Sequence, residues 1–277
     1  ISIIGAPGNL MGVSALNELG IETSFFEYLI VGGPMILAGI LFFALFGYKL
    51  LPKNSGAASL EDDQFAVKDY SDVPKWKQYM SLAVLVIAIL AMVFEKQIGI
   101  KLQVSASVGA IILILTGVIS EKEALKSIDL KTVFLFGGSL ALATALEHTG
   151  AGSLIADTLI GAMGNEVHPL ILLVVIFVIT CTMTNFMSNT ATTALMVPIA
   201  VSLAQGLGAD PRAVVIATVI AGSCAYATPI GMPANTMVVG IGGYKFIDYV
   251  KAGLPLILVS FIICMVILPV AYPFFPA

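Results

Sequence analysis

Charge is scarce in this chain. Asp, Glu, Lys and Arg make up 11% of 277 residues, where a soluble domain carries roughly 25%. Together with 58% hydrophobic residues and a mean hydropathy of +1.02, this excludes an ordinary soluble domain and indicates an integral membrane protein. No basic patch accompanies the net charge of −4, so nucleic acid is excluded as a partner. The alternating pattern of a membrane barrel is missing too; the apolar period is helical, which predicts an all-α membrane protein. HExxH, P-loop, nucleophile-elbow and GxGxxG contexts are all absent, so the chain is not expected to be an enzyme or to hold an organic cofactor. The three cysteines, Cys181, Cys224 and Cys264, lie inside apolar segments without ligand spacing and read as small core residues. The first residues, Ile-Ser-Ile-Ile-Gly, include neither an initiator Met nor a signal peptide. Residue 1 falls inside a candidate binding loop, so a fragment lacking its N-terminal half is expected.

What is present is a series of apolar segments near 28–50, 78–95, 104–119, 132–149, 169–184, 191–206, 213–228 and 254–273. A spanning helix needs about 20 residues at about 1.5 Å each. Segments 28–50, 78–95, 132–149 and 254–273 reach or approach that length. Segments 169–184 and 191–206 would each cover only about 24 Å; they read as the arms of a re-entrant hairpin, 169–206, with residues 185–190 at its tip. Segment 213–228 runs into Thr228-Pro229-Ile230-Gly231-Met232-Pro233-Ala234-Asn235. Two prolines four apart with Gly between them cannot continue a helix. The apolar run resumes at 236–241, giving a discontinuous helix over 213–241. Non-helical backbone at membrane depth survives only where protein or a water-filled site satisfies it.

The polar stretch 52–77 reads as a connector. It separates residues 1–51, the end of a first repeat, from residues 78–277, a second repeat with helices 78–149, the hairpin, the broken helix and a last span, 254–273. If 52–77 is on one side, threading the spans places ten lysines there: Lys49, Lys53, Lys68, Lys75, Lys77, Lys122, Lys126, Lys131, Lys245 and Lys251. The other side holds Lys96, Lys101 and Arg212. The positive-inside rule makes the 52–77 side cytoplasmic and the C-terminus external. An amphipathic stretch at 152–163, with Asp157, is expected at the membrane surface.

The repeat is visible in the letters. Ile4-Gly5-Ala6-Pro7-Gly8-Asn9 resembles Ile230-Gly231-Met232-Pro233-Ala234-Asn235, and Phe26-Glu27-Tyr28 resembles Ile247-Asp248-Tyr249. Gly32, Pro34 and Leu37 match Gly253, Pro255 and Leu258. In the threading above the two copies cross in opposite directions, the pattern of inverted repeats that place a transporter's site at the midplane.

The chemistry belongs to uncharged oxygen. Met187-Ser188-Asn189-Thr190-Ala191-Thr192-Thr193-Ala194 places hydroxyls and an amide between the apolar arms. Thr184, the Met187 main chain, Asn189 and the Gly231 carbonyl are candidate Na⁺ ligands, with Gly5 in the repeat-related site. Ser188, Asn189, Thr190, Asn235 and Asn9 are candidate donors to an anion, helped by helix N-termini and bound Na⁺. Substrate contacts are also expected at Met232, Pro233, Ala6 and Pro7. The alternative is an H⁺-coupled or exchange-type anion or oxyanion permease, or a Na⁺/H⁺ antiporter, for which Glu95 and Glu147 are the near carboxylates.

Ser188-Asn189-Thr190 with Ala191-Thr192, the 229–235 break and the 4–9 loop together resemble the divalent anion:Na⁺ symporters, the sodium-dependent dicarboxylate and sulfate carriers. The resemblance covers essentially the whole chain as the C-terminal two-thirds of such a protein. It implies a homodimer in a bacterial or archaeal plasma membrane, working as an elevator on a small anionic substrate. Residues 1–50, 169–241 and 254–273 would then move against a scaffold, 78–149. It also implies a second Ser-Asn-Thr motif, upstream of Ile1. Carboxylate carriers of that kind have Thr where this chain has Ala6 and Met232, a departure that leaves sulfate or another oxyanion open.

Overall fold

The computed structural model describes residues 1–52, 73–151, 154, 158, 161, 168–242 and 244–275. Among them the chain is all-helical, without a strand. Most of the 52–77 connector and most of 152–163, Asp157 included, lie outside the described residues. Residues 1–60 with 132–277 form one compact unit and 61–131 another.

The smaller unit pairs α3 (Lys75–Val93) with α5 (Leu102–Leu115), joined through the short α4 (Glu95–Ile98). A Cβ on Gly109 would sit 3.4 Å from Ala88 and 3.5 Å from Val84, so this glycine sets the approach of the two helices. Next comes α6 (Glu121–Lys126), opened by a capping box of Ser120 and Glu123. α7 spans Leu130–Thr149.

The larger unit starts with α1 (Pro7–Glu18) and α2 (Leu29–Leu45), takes in α7 from residue 132 on, and continues with α8 (Pro169–Thr184), α9 (Asn189–Gly206), α10 (Pro211–Ser223), α11 (Pro233–Gly242) and α12 (Phe246–Ala271). Four of these helices begin on proline, whose missing N–H costs nothing in a first turn. His168, Ser188 and Asp210 cap α8, α9 and α10 by accepting from the backbone N–H groups of Leu170, Ala191 and Arg212. α10 lies at the centre, with every residue from Ala213 to Gly222 buried. α8 and α9 pack on it as an antiparallel pair, and α1 packs on both α9 and α10. A helix apolar on all sides requires such a position. The three cysteines are free and buried.

α2 and α12 pack against each other and run antiparallel. The Tyr272 hydroxyl, just past the end of α12, donates to Glu27 Oε1 at the start of α2 (2.7 Å). Farther along, a Cβ on Gly39 would lie 3.9 Å from Leu256. Outward faces of both stay apolar: Leu37 is 65% exposed and Val270 80%. Aqueous surfaces do not carry such faces, whereas lipid accepts them. By length and composition α3 and α12 can each cross a bilayer, and α2, α5, α8 and α10 are shorter apolar helices.

Three boundaries differ from those expected. α10 ends at Ser223 rather than near 228, because the next carbonyls are captured by side chains: Cys224 O by Asn185 Nδ2 (3.2 Å) and Ala225 O by Asn235 Nδ2 (2.6 Å). Asn189 and Thr190 belong to the first turn of α9 rather than to a loop, since Ser188 caps the helix ahead of them. The last helix starts at Phe246, eight residues before 254, because Asp248 accepts from Lys245 N (2.8 Å) and closes its first turn.

Candidate functional site

The site grows from one buried asparagine. Asn185, 5% exposed, follows the last residue of α8. Its Nδ2 donates to Cys181 O (2.8 Å) and to Cys224 O, and its Oδ1 accepts from Ala227 N (3.0 Å). Its own carbonyl accepts a short hydrogen bond from the Thr228 hydroxyl. One carboxamide thus rivets the hairpin tip to the unwound stretch between α10 and α11. Sequence reading placed Asn185 in the tip without assigning it a role. The usable signal was an amide inside an apolar arm, which burial obliges to find partners for both ends.

Thr184 and Gly231 meet beside this rivet. A Cβ on Gly231 would stand 2.3 Å from Thr184 O and 2.9 Å from Ala225 Cβ, so only glycine lets the break cross the end of α8. The Thr184 hydroxyl lies 2.8 Å from Asn189 Oδ1 and 2.5 Å from Gly222 O. Gly222 is a further residue that the sequence did not reveal, because its contribution is a carbonyl at a helix end. One turn deeper, Thr193 donates to Asn189 O (2.8 Å). Its Oγ1 lies 2.4 Å from where a Gly222 Cβ would be and 3.1 Å from where a Gly8 Cβ would be. Small residues on α10 and α1 therefore admit this threonine, and through it the first break reaches the hairpin. Thr180 and Thr192 are fully buried nearby, with hydroxyls that meet no partner among the described residues.

The structure thus gathers Thr184, Asn189 and Gly231, and it brings α1 against α9 one turn beyond Asn189. Ser188 is exposed and acts as the cap, Met187 N donates to Met183 O (2.9 Å), and Thr190 is half-buried. No hydrogen bond among the described residues links Met187, Ser188 or Thr190 to Gly5–Asn9. Gly5 is exposed, and a Cβ there would meet only Asn9 and Ser2 of its own segment, both at 3.6 Å. Ala6 O accepts from Asn9 N and Met232 O from Asn235 N, each at 3.0 Å, while Pro7 and Pro233 open their helices. The amide donors of Asn9 and Asn235 point at backbone carbonyls.

A cavity of about 440 Å³ adjoins the first break, lined in part by Gly5, Ala6, Asn9, Ser223, Tyr226 and Ser260. That is ample for a small organic anion. Among the described residues no group of three or more His, Cys, Asp or Glu could hold a metal ion.

Apolar helices around a centre of paired amides, hydroxyls and freed carbonyls fit an integral membrane protein, and the family match gives its class as a transporter. The chain belongs to the citrate transporter (CitMHS) family, whose model matches residues 1–221. It is 36% identical over 156 residues to an uncharacterized transporter of Escherichia coli, covering 56% of this chain and 25% of that protein. An uncharacterized transporter of Methanocaldococcus jannaschii is 29% identical over 269 residues, 94% of this chain and 58% of the relative. The sodium-dependent dicarboxylate transporter of Staphylococcus aureus is 27% identical over 299 residues, 98% of this chain and 56% of the relative. The chain therefore spans between about a quarter and three fifths of the length of these relatives.

Proposed function

We propose that this chain is the C-terminal portion of a Na⁺-coupled symporter for a divalent anion, a di- or tricarboxylate or sulfate. On this reading α8 and α9 form a re-entrant hairpin, the two breaks belong to inverted repeats, and a homodimer in a bacterial or archaeal plasma membrane works by elevator motion. The sodium-dependent dicarboxylate relative supports the substrate class and the coupling ion. The likeness of residues 4–37 to 230–258, carried by helices α2 and α12 that run antiparallel, supports the repeats.

The observation that carries the reading is the oxygen cluster at the hairpin tip. Thr184 Oγ1, Asn189 Oδ1 and Gly222 O lie within hydrogen-bond reach of one another's shared hydroxyl. One hydroxyl proton serves two acceptors only as a weaker, shared bond. Na⁺ at this point resolves the excess of oxygen, with the Gly231 main chain, which crosses at Thr184 O, and the Met187 main chain, two residues before Asn189, to complete its shell. Without the ion, turning the Asn189 amide lets Nδ2 donate to Thr184, which donates to Gly222 O. Ion binding then selects the orientation of Asn189, and with it the donors that Ser188, Asn189 and Thr190 offer an anion beside Met232, Pro233, Ala6 and Pro7. That coupling needs no titratable group.

The test is uptake of labelled succinate, citrate and sulfate into liposomes containing the protein. An inward Na⁺ gradient should drive accumulation of at least one of them. Asn189→Ala should raise the half-saturating Na⁺ concentration about ten-fold or more, equivalent to roughly one lost charge-assisted contact. Accumulation that follows a pH gradient and ignores Na⁺ would refute the coupling and favour the H⁺-linked alternative.

A further inference from the structure

Each helix that follows a break carries an asparagine as its third residue: Asn9 in α1 and Asn235 in α11. Asn9 Nδ2 reaches back to Ser2 O (2.8 Å), and Asn235 Nδ2 to Thr228 O (3.0 Å). Both bonds span seven residues, across the whole break. Asn235 Nδ2 also donates to Ala225 O, so two carbonyls face it and only the NH₂ end can point there.

A tyrosine from the start of the next long helix then holds each asparagine from the other side. The Tyr28 hydroxyl donates to Asn9 O (3.0 Å), and the Tyr249 hydroxyl to Asn235 O (2.7 Å). Both tyrosines follow an acidic residue that closes its own turn: Glu27 accepts from Ser24 N and Asp248 from Lys245 N, each at 2.8 Å. Four residues on, Gly32 and Gly253 receive the chain of the break. A Cβ on Gly32 would lie 3.5 Å from Ile1 N, and one on Gly253 2.6 Å from Ala227 Cα. Ile1 and Ala227 are themselves equivalent in the repeat. The same brace is built twice, down to the atoms that donate.

From this duplication we infer that Asn9–Tyr28 and Asn235–Tyr249 are positioning pairs, the second with no amide donor left for an anion. The asparagine amide closes the unwound segment on itself, and the tyrosine hydroxyl fixes the first turn of the helix that follows. Together they hold the freed carbonyls and the helix N-terminus where the hairpin tip meets them. With both Nδ2 hydrogens committed to backbone, Asn235 can offer a passing solute only an oxygen, which repels an anion, while Asn9 commits one of its two to Ser2 O. Gly12 is the accommodating partner of the first pair, since a Cβ there would come 2.7 Å from the Tyr28 hydroxyl.

The experiment compares wild type with Asn235→Ala and Tyr249→Phe in proteoliposomes, using two readouts. Cys224 is fully buried and adjoins Ala225, an acceptor of Asn235. Its alkylation by N-ethylmaleimide, resolved by peptide mass spectrometry, should quicken about five-fold or more in both variants, the opening expected from one lost hydrogen bond. In transport, the half-saturating Na⁺ concentration should rise by a similar factor, while the succinate KM at saturating Na⁺ stays within about two-fold. This transport arm rests on the symport reading above; the labelling arm does not, and it decides the matter even if uptake ignores Na⁺. Unchanged Cys224 labelling in both variants overturns the inference, as does a succinate KM that rises at saturating Na⁺ while labelling stays at the wild-type rate. Tyr249→Phe removes a single hydroxyl and keeps the ring, so the test survives if Asn235→Ala does not fold. Tyr28→Phe should mirror it at the first break in the Na⁺ dependence.

Discussion

A single missing Cβ separates the two breaks. At Gly231 the space for it is taken by Thr184 O at 2.3 Å, whereas at Gly5 the nearest foreign atoms are 3.6 Å away. Gly231→Ala must therefore push the hairpin off the break, at an overpacking cost of about 1–3 kcal/mol, and uptake should fall at least about ten-fold. Gly5→Ala should stay within about 0.5 kcal/mol of wild type in thermal unfolding. Equal loss from the two substitutions would show that the hairpin does not rest on Gly231. Both glycines stood out in the sequence because prolines flank them, but which one bears a contact was not legible there, since the answer depends on a carbonyl more than 40 residues away in the chain. Asn185 and Gly222 escaped for the same reason: one acts through buried amide bonds to a distant loop, the other through a main-chain oxygen.

Among the elements, the α9–α10 corner is where a charge pair has a defined task. Asp210 caps α10 and holds Arg212 through Nε (2.9 Å) and Nη2 (2.5 Å). Partial burial pushes the Asp210 carboxyl up, but hydrogen bonds from the Arg212 side chain and backbone outweigh that and hold it below the usual carboxylate value. A depressed folded value means that the contribution to stability is complete at neutral pH, begins to fade near the unfolded value of about 3.9 and is lost as pH falls through the folded one. Asp210→Ala should cost about 1 kcal/mol at pH 7, and the gap between variant and wild-type melting temperatures should close on acidification below about pH 4. A gap that widens there would contradict the assigned sign. The longer helices followed from apolar run length, but α1, α4 and α6 did not. The ends did not, because the end of α10 is set by side chains that draw its last carbonyls out of the helical ladder.

For the molecule as a whole, orientation in the membrane is the quantity to measure. On the proposed topology ten lysines lie on one side against two lysines and an arginine on the other, which would put 120–131 in the cytoplasm and 96–101 outside. The native cysteines are all buried, so an introduced thiol can be read against a low background. A membrane-impermeant maleimide should label Lys101→Cys in intact cells and Lys126→Cys only after permeabilisation. The reverse pattern would invert the proposed topology and place the hairpin on the other face.

Composition alone determined that this protein lives in lipid, because so little charge and so much apolar length leave no aqueous fold. The spacing of Gly and Pro predicts a helix interruption at each of two places, since neither residue sustains the helical ladder. The repeated letters are the ground for proposing that the interruptions are related. Only the tertiary structure decided what fills each gap, because a satisfied carbonyl or a forbidden Cβ is a property of two distant segments in contact. It shows Asn185 bonded across the joint, Gly231 at the crossing, and Tyr28 and Tyr249 donating to the carbonyls of Asn9 and Asn235. Local sequence can propose such groups, but only their distances can choose among them.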